Sequence, residues 1–296
     1  MEALHRHRGR WIQVLLLVVF FFAVAHAQQR YSASGLVLSV DRSHQTMLVS
    51  CLEIRGFMDA MVMSFAVPDV KSLDALSRGA LIDFTLVVSK DSSHAESVRI
   101  RGYDSAEREP SKARRLQGLE EALRGPAQRL AVGQTVPNFT LTDQQKRVIR
   151  LRQFAGKVVA LNFVYTRCAL PEYCYRSSNN FGVLQKQFQE RLGKDLVLLT
   201  VTFDPVHDQP ETLRNYARTW KADPENWRFL TGPAPDVQRV CDLFGVNFVP
   251  DEGLFVHSLH TAIIGRDGKL VANLEGNEFT AKQFSDLLKT VLDPAN

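Results

Sequence analysis

The chain has 296 residues, of which 45% are hydrophobic, and its 36 Lys and Arg against 32 Asp and Glu leave a formal charge of +4. That near balance gives no sign of a nucleic-acid partner, and the length exceeds what one typical core organises, so two domains are expected. Four cysteines exclude a disulfide-stapled scaffold.

The chain begins with Arg6, Arg8 and Arg10 ahead of an apolar run at residues 11–25, closing on Ala25-His26-Ala27 before Gln28. This pattern predicts a secretory signal peptide over residues 1–27 and an exported mature protein, for which the resemblances given below imply the periplasm. The run is shorter than the roughly 20 residues that a spanning helix needs. Membrane contact is therefore expected only through a partner or an uncleaved N-terminal anchor. Losing three Arg and one Glu lowers the charge from +4 to +2, which implies no nucleic-acid partner.

Residues 30–103 read as short strands at 34–40, 45–51, 61–67, 81–89 and 97–101, with a turn at 41–44 and a helical pattern at 70–76. Period-two alternation and the intervening turn residues predict a small all-β barrel. Residues 104–131 shift to a charged, partly helical linker, which as a flexible coil would have an end-to-end distance of about 30 Å. Residues 132–296 alternate strands (158–166, 196–203) with helices (179–192, 210–220, 237–244, 280–292), and a hairpin joins 257–264 to 269–273. That order predicts an α/β domain around a central sheet.

Two motifs concentrate chemistry. The apolar strand at 158–166 runs directly into Arg167-Cys168-Ala-Leu-Pro-Glu-Tyr-Cys174, placing both thiols on a loop before a helix. A helix N-terminus favours thiolate, the form that binds metal or attacks disulfides, so both uses stand open at this point. The second motif is Gly56-Phe-Met58-Asp-Ala-Met61-Val-Met63-Ser-Phe65, which holds three of the five methionines. On a strand, Met61 and Met63 share one face, where two thioethers can serve core packing or grip a soft ion.

The run Phe163-Val-Tyr-Thr-Arg-Cys168, then Thr202-Phe-Asp-Pro-Val-His-Asp208, then Val256-His257-Ser258 ahead of Ile263-Ile-Gly-Arg-Asp-Gly268 resembles the landmarks of the Sco/SenC copper chaperones. The resemblance implies a thioredoxin-like fold with copper held by Cys168, Cys174 and His257, and a respiratory oxidase subunit as copper acceptor. Five residues separate the cysteines here where that family usually has three, and Tyr175 replaces its proline. Two thiolates suit Cu(I), and the imidazole adds a donor that also serves Cu(II). The alternative is a thiol–disulfide oxidoreductase working through Cys168 and Cys174 on partner cysteines. His260 is expected on the opposite face of its strand from His257, Asp204 as a turn residue, a carboxylate supporting the cysteine loop from behind its ligands, or a partner-facing carboxylate, and Cys241 as a buried small hydrophobe.

Gly35-Leu-Val-Leu-Ser-Val-Asp41 followed by residues 51–65 resembles the periplasmic CusF-like copper-binding barrels. That family implies an OB-type barrel binding Cu(I). Met61 and Met63 match its methionine pair, Cys51 stands about where its histidine does, and Met58 where some members carry a capping tryptophan.

Overall fold

The computed structural model describes residues 28–90, 92–101, 129–168 and 170–294. The leader predicted at residues 1–27 and most of the charged segment 104–131 lie outside the described residues. The first unit comprises β1 (Gln29–Asp41), β2 (Thr46–Cys51), β3 (Val62–Ala66), β4 (Leu81–Val88) and β5 (Ser93–Ile100), with helix α1 (Val70–Asp74) between β3 and β4. They close into a barrel in the order β1-β2-β3-β5-β4.

The β1–β2 turn forms because the Asp41 carboxylate accepts from the backbone N–H groups of Ser43 and His44, while Gln45 takes a positive φ of 54°. Val37, Met47, Val49, Phe65, Phe84 and Leu86 fill the interior. β1 starts five residues before the expected position and β5 four. Their extensions, Gln29-Arg-Tyr-Ser-Ala33 and Ser93-His-Ala-Glu96, are largely polar, so no apolar alternation marks them, and cross-strand pairing with β4 decides their length.

The second unit contains β6 (Thr140–Asp143), β7 (Val148–Arg150), β8 (Val158–Val164), β9 (Leu196–Thr202), β10 (Trp227–Thr231), β13 (His260–Ile264) and β14 (Leu270–Glu275) in one sheet. Its order is β14-β13-β8-β9-β10-β6-β7, with β8, β9 and β10 parallel. Every residue of β8 and β9 is buried, as continuous apolar strands covered on both faces must be. Helix α4 (Ala234–Phe244) packs one face through Val237, Val240 and Phe244. Helices α2 (Arg176–Gln187), α3 (Pro210–Thr219) and α5 (Ala281–Leu292) pack the other through Phe181, Leu184, Leu213 and Phe284. This is a thioredoxin-like arrangement.

The single strand expected at 257–264 is two. β11 (Phe248–Asp251) and β12 (Leu254–His257) form a separate hairpin, and the chain crosses Ser258-Leu259 before entering the main sheet as β13. The strand-parity argument separating His257 from His260 therefore does not apply, because a change of strand intervenes.

The barrel rests directly on the second unit. Val37 faces the barrel interior while Leu36 and Leu38, both fully buried, face outward into the same apolar cluster as Leu274, Phe284 and Leu287. The unbroken Leu36-Val37-Leu38 run reflects burial on both faces of β1. Ser50 Oγ donates to Asp286 at 2.8 Å, and Gln283 Nε2 donates to the Ser50 carbonyl at 3.1 Å, both from α5. A shared core, rather than a tether, fixes the two units together.

Candidate metal centre

β8 ends at Val164 in the middle of the sheet, and the chain rises from its carboxyl end into the cysteine loop, where open α/β sheets place ligands. Beneath the loop, Thr200 Oγ1 donates to Asn162 Oδ1 at 2.7 Å, and Asn162 Nδ2 donates to Ser177 Oγ at 2.9 Å. These buried bonds tie β9, β8 and α2 together. Asp208 accepts from the Thr166 N–H at 3.0 Å and from the hydroxyls of Thr166 and Thr202. The Asp204–Asp208 loop is thereby bound to the end of β8, although burial pushes the Asp208 carboxyl above its ordinary range.

Pro171–Tyr175 forms a wide helical turn ahead of α2, broken at Tyr173 (φ −104°, ψ −108°). Asn277 Nδ2, from the segment before α5, donates to the Glu172 carbonyl and braces this turn. Cys174 is buried and Cys168 partly exposed, and neither is in a disulfide. The donor atoms of Cys168, Cys174 and His257 all lie within 4.8 Å of one another, with Cys174 Sγ 3.8 Å from His257 Nε2.

His257 Nδ1 lies 2.9 Å from the Ser258 carbonyl, an acceptor only, so Nδ1 carries a proton and Nε2 is the ring nitrogen turned toward the sulfurs. Its ring packs against Phe203 at 4.7 Å and edge-on to Tyr165 at 5.6 Å. The two thiols differ in ionisation. A hydrogen bond from Cys174, with a further one from His257, holds Cys168 down at about 4, while burial pushes Cys174 well above 9. The pair thus presents one thiolate and one thiol. Two sulfurs and one imidazole nitrogen converging on one point fit a soft or borderline metal ion.

His260 is not part of this cluster. It is buried, with Nδ1 3.3 Å from Asn273 Oδ1, and burial lowers it to about 4. Cys241 lies in the core with α4. Asp204 is buried behind the cysteine loop: at 2% exposure it accepts from Arg167 Nη2 at 2.8 Å and faces His207 Nδ1 at 2.8 Å. Burial raises its carboxyl, but those two partners outweigh burial and hold it below the usual range. Arg167 and His207 escaped the sequence reading because no periodicity links position 167 to 204.

In the barrel, the Cys51 N–H donates to the Met61 carbonyl at 2.9 Å and Val49 pairs with Met63. Opposed residues share a face, so Cys51, Met61 and Met63 lie on one face at one end of the barrel. Met58 and Met63 pack against the barrel core, whereas Met61 is 46% exposed. Cys51 is buried, which pushes its thiol up to about 12. Tyr31 and Phe57 stack at 4.1 Å beside Met58.

A thioredoxin-like domain with two free thiols and an imidazole at the carboxyl end of its central strand belongs among metal-binding or thiol-exchanging proteins of that fold. The SCO1/SenC profile matches residues 127–293, and the chain belongs to that family. A Stutzerimonas stutzeri protein named for copper binding is 29% identical over 140 residues, covering 46% of this chain and 66% of the relative. A Bacillus subtilis SCO1 protein homolog is 25% identical over 160 residues, 53% of this chain and 80% of its own length. The thiol-disulfide oxidoreductase ResA of Bacillus thuringiensis is 24% identical over 169 residues, 55% and 80% of the two chains. Yeast Sco1, solved with copper bound, superposes with a TM-score of 0.46 at 23% identity, covering 54% of this chain and 89% of that one.

Proposed function

We propose that the chain is an exported copper chaperone that holds copper through Cys168, Cys174 and His257 and delivers it to an acceptor, a respiratory oxidase subunit. The convergence of those three donors within 4.8 Å carries the reading, and family membership supports it. Cys168 is already thiolate near neutral pH and Cys174 must lose a proton, so loading this site releases about one proton rather than two.

The barrel adds a second Cu(I) site built from Cys51, Met61 and Met63, with Met58 and the Tyr31–Phe57 stack at its margin. Its strand order, the parallel β3–β5 pairing and the helix between β3 and β4 support an OB-type barrel. Because the Cys51 thiol is protonated up to about pH 12, copper uptake there expels a proton and strengthens with rising pH.

An anaerobic Cu(I) titration of the reduced protein against a competing chelator tests this. Two equivalents are expected, one lost in Cys168→Ser/Cys174→Ser and the other in Met61→Leu/Met63→Leu. Failure of the wild type to hold copper ends the chaperone reading. The split ionisation of Cys168 and Cys174 also suits a thiol–disulfide oxidoreductase, and fast reduction of a partner disulfide by copper-free protein would favour that reading instead.

A further inference from the structure

We propose that Arg167 is the positioning residue that holds His257 in reach of the two thiols, and that it thereby sets the oxidation states the site retains. The inference rests on the copper reading of the site. His257 is the last residue of β12, in a hairpin outside the seven-stranded sheet. An isolated two-stranded hairpin is marginal in water, so what fixes it to the domain fixes the imidazole.

Its base is held by the Ser258 N–H donating to the Asn247 carbonyl at 2.8 Å and by Phe248 and Phe255 packing on Phe203 at 5.2 and 5.8 Å. Its tip, Glu252-Gly253, turns with both φ values positive (47° and 81°), as the tight I′ hairpin turn requires. There Arg167 Nη1 donates to the Gly253 carbonyl at 2.8 Å. The same guanidinium is anchored on Asp204, with Nε at 3.2 Å and Nη2 at 2.8 Å from Oδ2. Nη2 also lies 3.1 Å from His207 Nδ1, which itself faces Asp204.

Arg167 immediately precedes Cys168. One side chain thus joins the start of the cysteine loop, the buried carboxylate of the Asp204 loop and the tip of the hairpin that carries His257. The planar fork reaches carboxylate and carbonyl through separate nitrogens in fixed geometry, whereas the three donors of a lysine share a single nitrogen. With this clasp closed, the site offers two sulfurs and a nitrogen. With it open, two thiolates remain, a set that still suits Cu(I) but lacks the imidazole that favours Cu(II).

The test compares wild type, Arg167→Ala, Arg167→Lys and His257→Ala, first without metal and then loaded. In the copper-free protein, hydrogen exchange of amides in residues 248–257 is expected to rise about tenfold in Arg167→Ala, the loss of one charge-assisted bond, with the sheet strands unchanged. After loading, Cu(I) affinity stays within about threefold of wild type, while Cu(II) is retained about tenfold less tightly and its EPR spectrum loses the nitrogen coupling, as in His257→Ala. Arg167→Lys is expected to behave like Arg167→Ala, and Arg167→Ala adds nothing in a His257→Ala background.

Unchanged hairpin exchange with preserved nitrogen coupling in Arg167→Ala overturns the proposal. So does wild-type behaviour of Arg167→Lys, which would assign the effect to charge alone, or an equal loss of Cu(I), which would mark damage to the cysteine loop. If the wild type binds no copper, the site reading fails, and the exchange measurement still decides whether the clasp holds the hairpin.

Discussion

Cys168 and Cys174 stand six positions apart on one loop, yet their surroundings divide one proton between them unequally. Cys168 is partly exposed and receives hydrogen bonds; Cys174 is enclosed by the domain core, and that burial disfavours its anion. For metal capture this places a ready nucleophilic donor at the surface and a second donor that forms only as the ion arrives. Iodoacetamide should therefore alkylate Cys168 in the copper-free protein at a nearly constant rate from about pH 8 down to about pH 5, whereas a thiol with the ordinary value of about 8.5 slows tenfold per unit below it. Peptide mapping after a short pulse reads this directly. A tenfold fall per unit below pH 8 at Cys168 would show that the hydrogen bonds from Cys174 and His257 do not hold the thiolate.

At the level of elements, α5 has a structural role beyond covering the sheet. Thr280 caps its first turn by accepting from the Gln283 N–H, and Gln283 returns a bond to the Thr280 N–H, forming a capping box. The same Gln283 amide, 2% exposed, donates to the Ser50 carbonyl of the barrel. Thr280→Ala should cost about 1 kcal/mol in urea unfolding, the usual value of a cap. Gln283→Ala removes half of the box and orphans a buried carbonyl, so about 2 kcal/mol is expected. Equal costs for the two variants would mean that the bond to the barrel contributes nothing. The segment just before α5 also supplies Asn277 to the cysteine loop, so one helix terminus braces the candidate metal centre and seats the barrel.

Across the whole molecule, Leu36 and Leu38 place the outer face of the barrel into the apolar cluster of the second unit. Burying each contributes about 2 kcal/mol, enough for the two units to unfold as one. Leu38→Glu puts a charge into that interface and should split the single thermal transition into two, with calorimetry resolving a barrel step from a thioredoxin-like step. Retention of one transition at unchanged temperature would show that the interface does not couple them. This docking also alters how copper would move between the two proposed sites: a shared core sets their separation, where a free linker of about 30 Å was expected.

Local patterns carried much of this reading. The continuous apolar runs of β8 and β9, the period of the helices, the alternation within the barrel and the two loop thiols are near-neighbour features, so sequence alone determined an all-β unit followed by an α/β unit and marked Cys168 and Cys174. The largely polar extensions of β1 and β5, and the split at Ser258-Leu259, left no such trace, because pairing with distant strands decides them. His257 was found through its motif, not through spacing, since 83 positions separate it from Cys174. Only the tertiary structure could bring that imidazole to the sulfurs, pin its hairpin through Arg167, and bury Leu36 and Leu38 against a second core. Each of these joins groups far apart in the chain, and close packing, not local conformational preference, selects them.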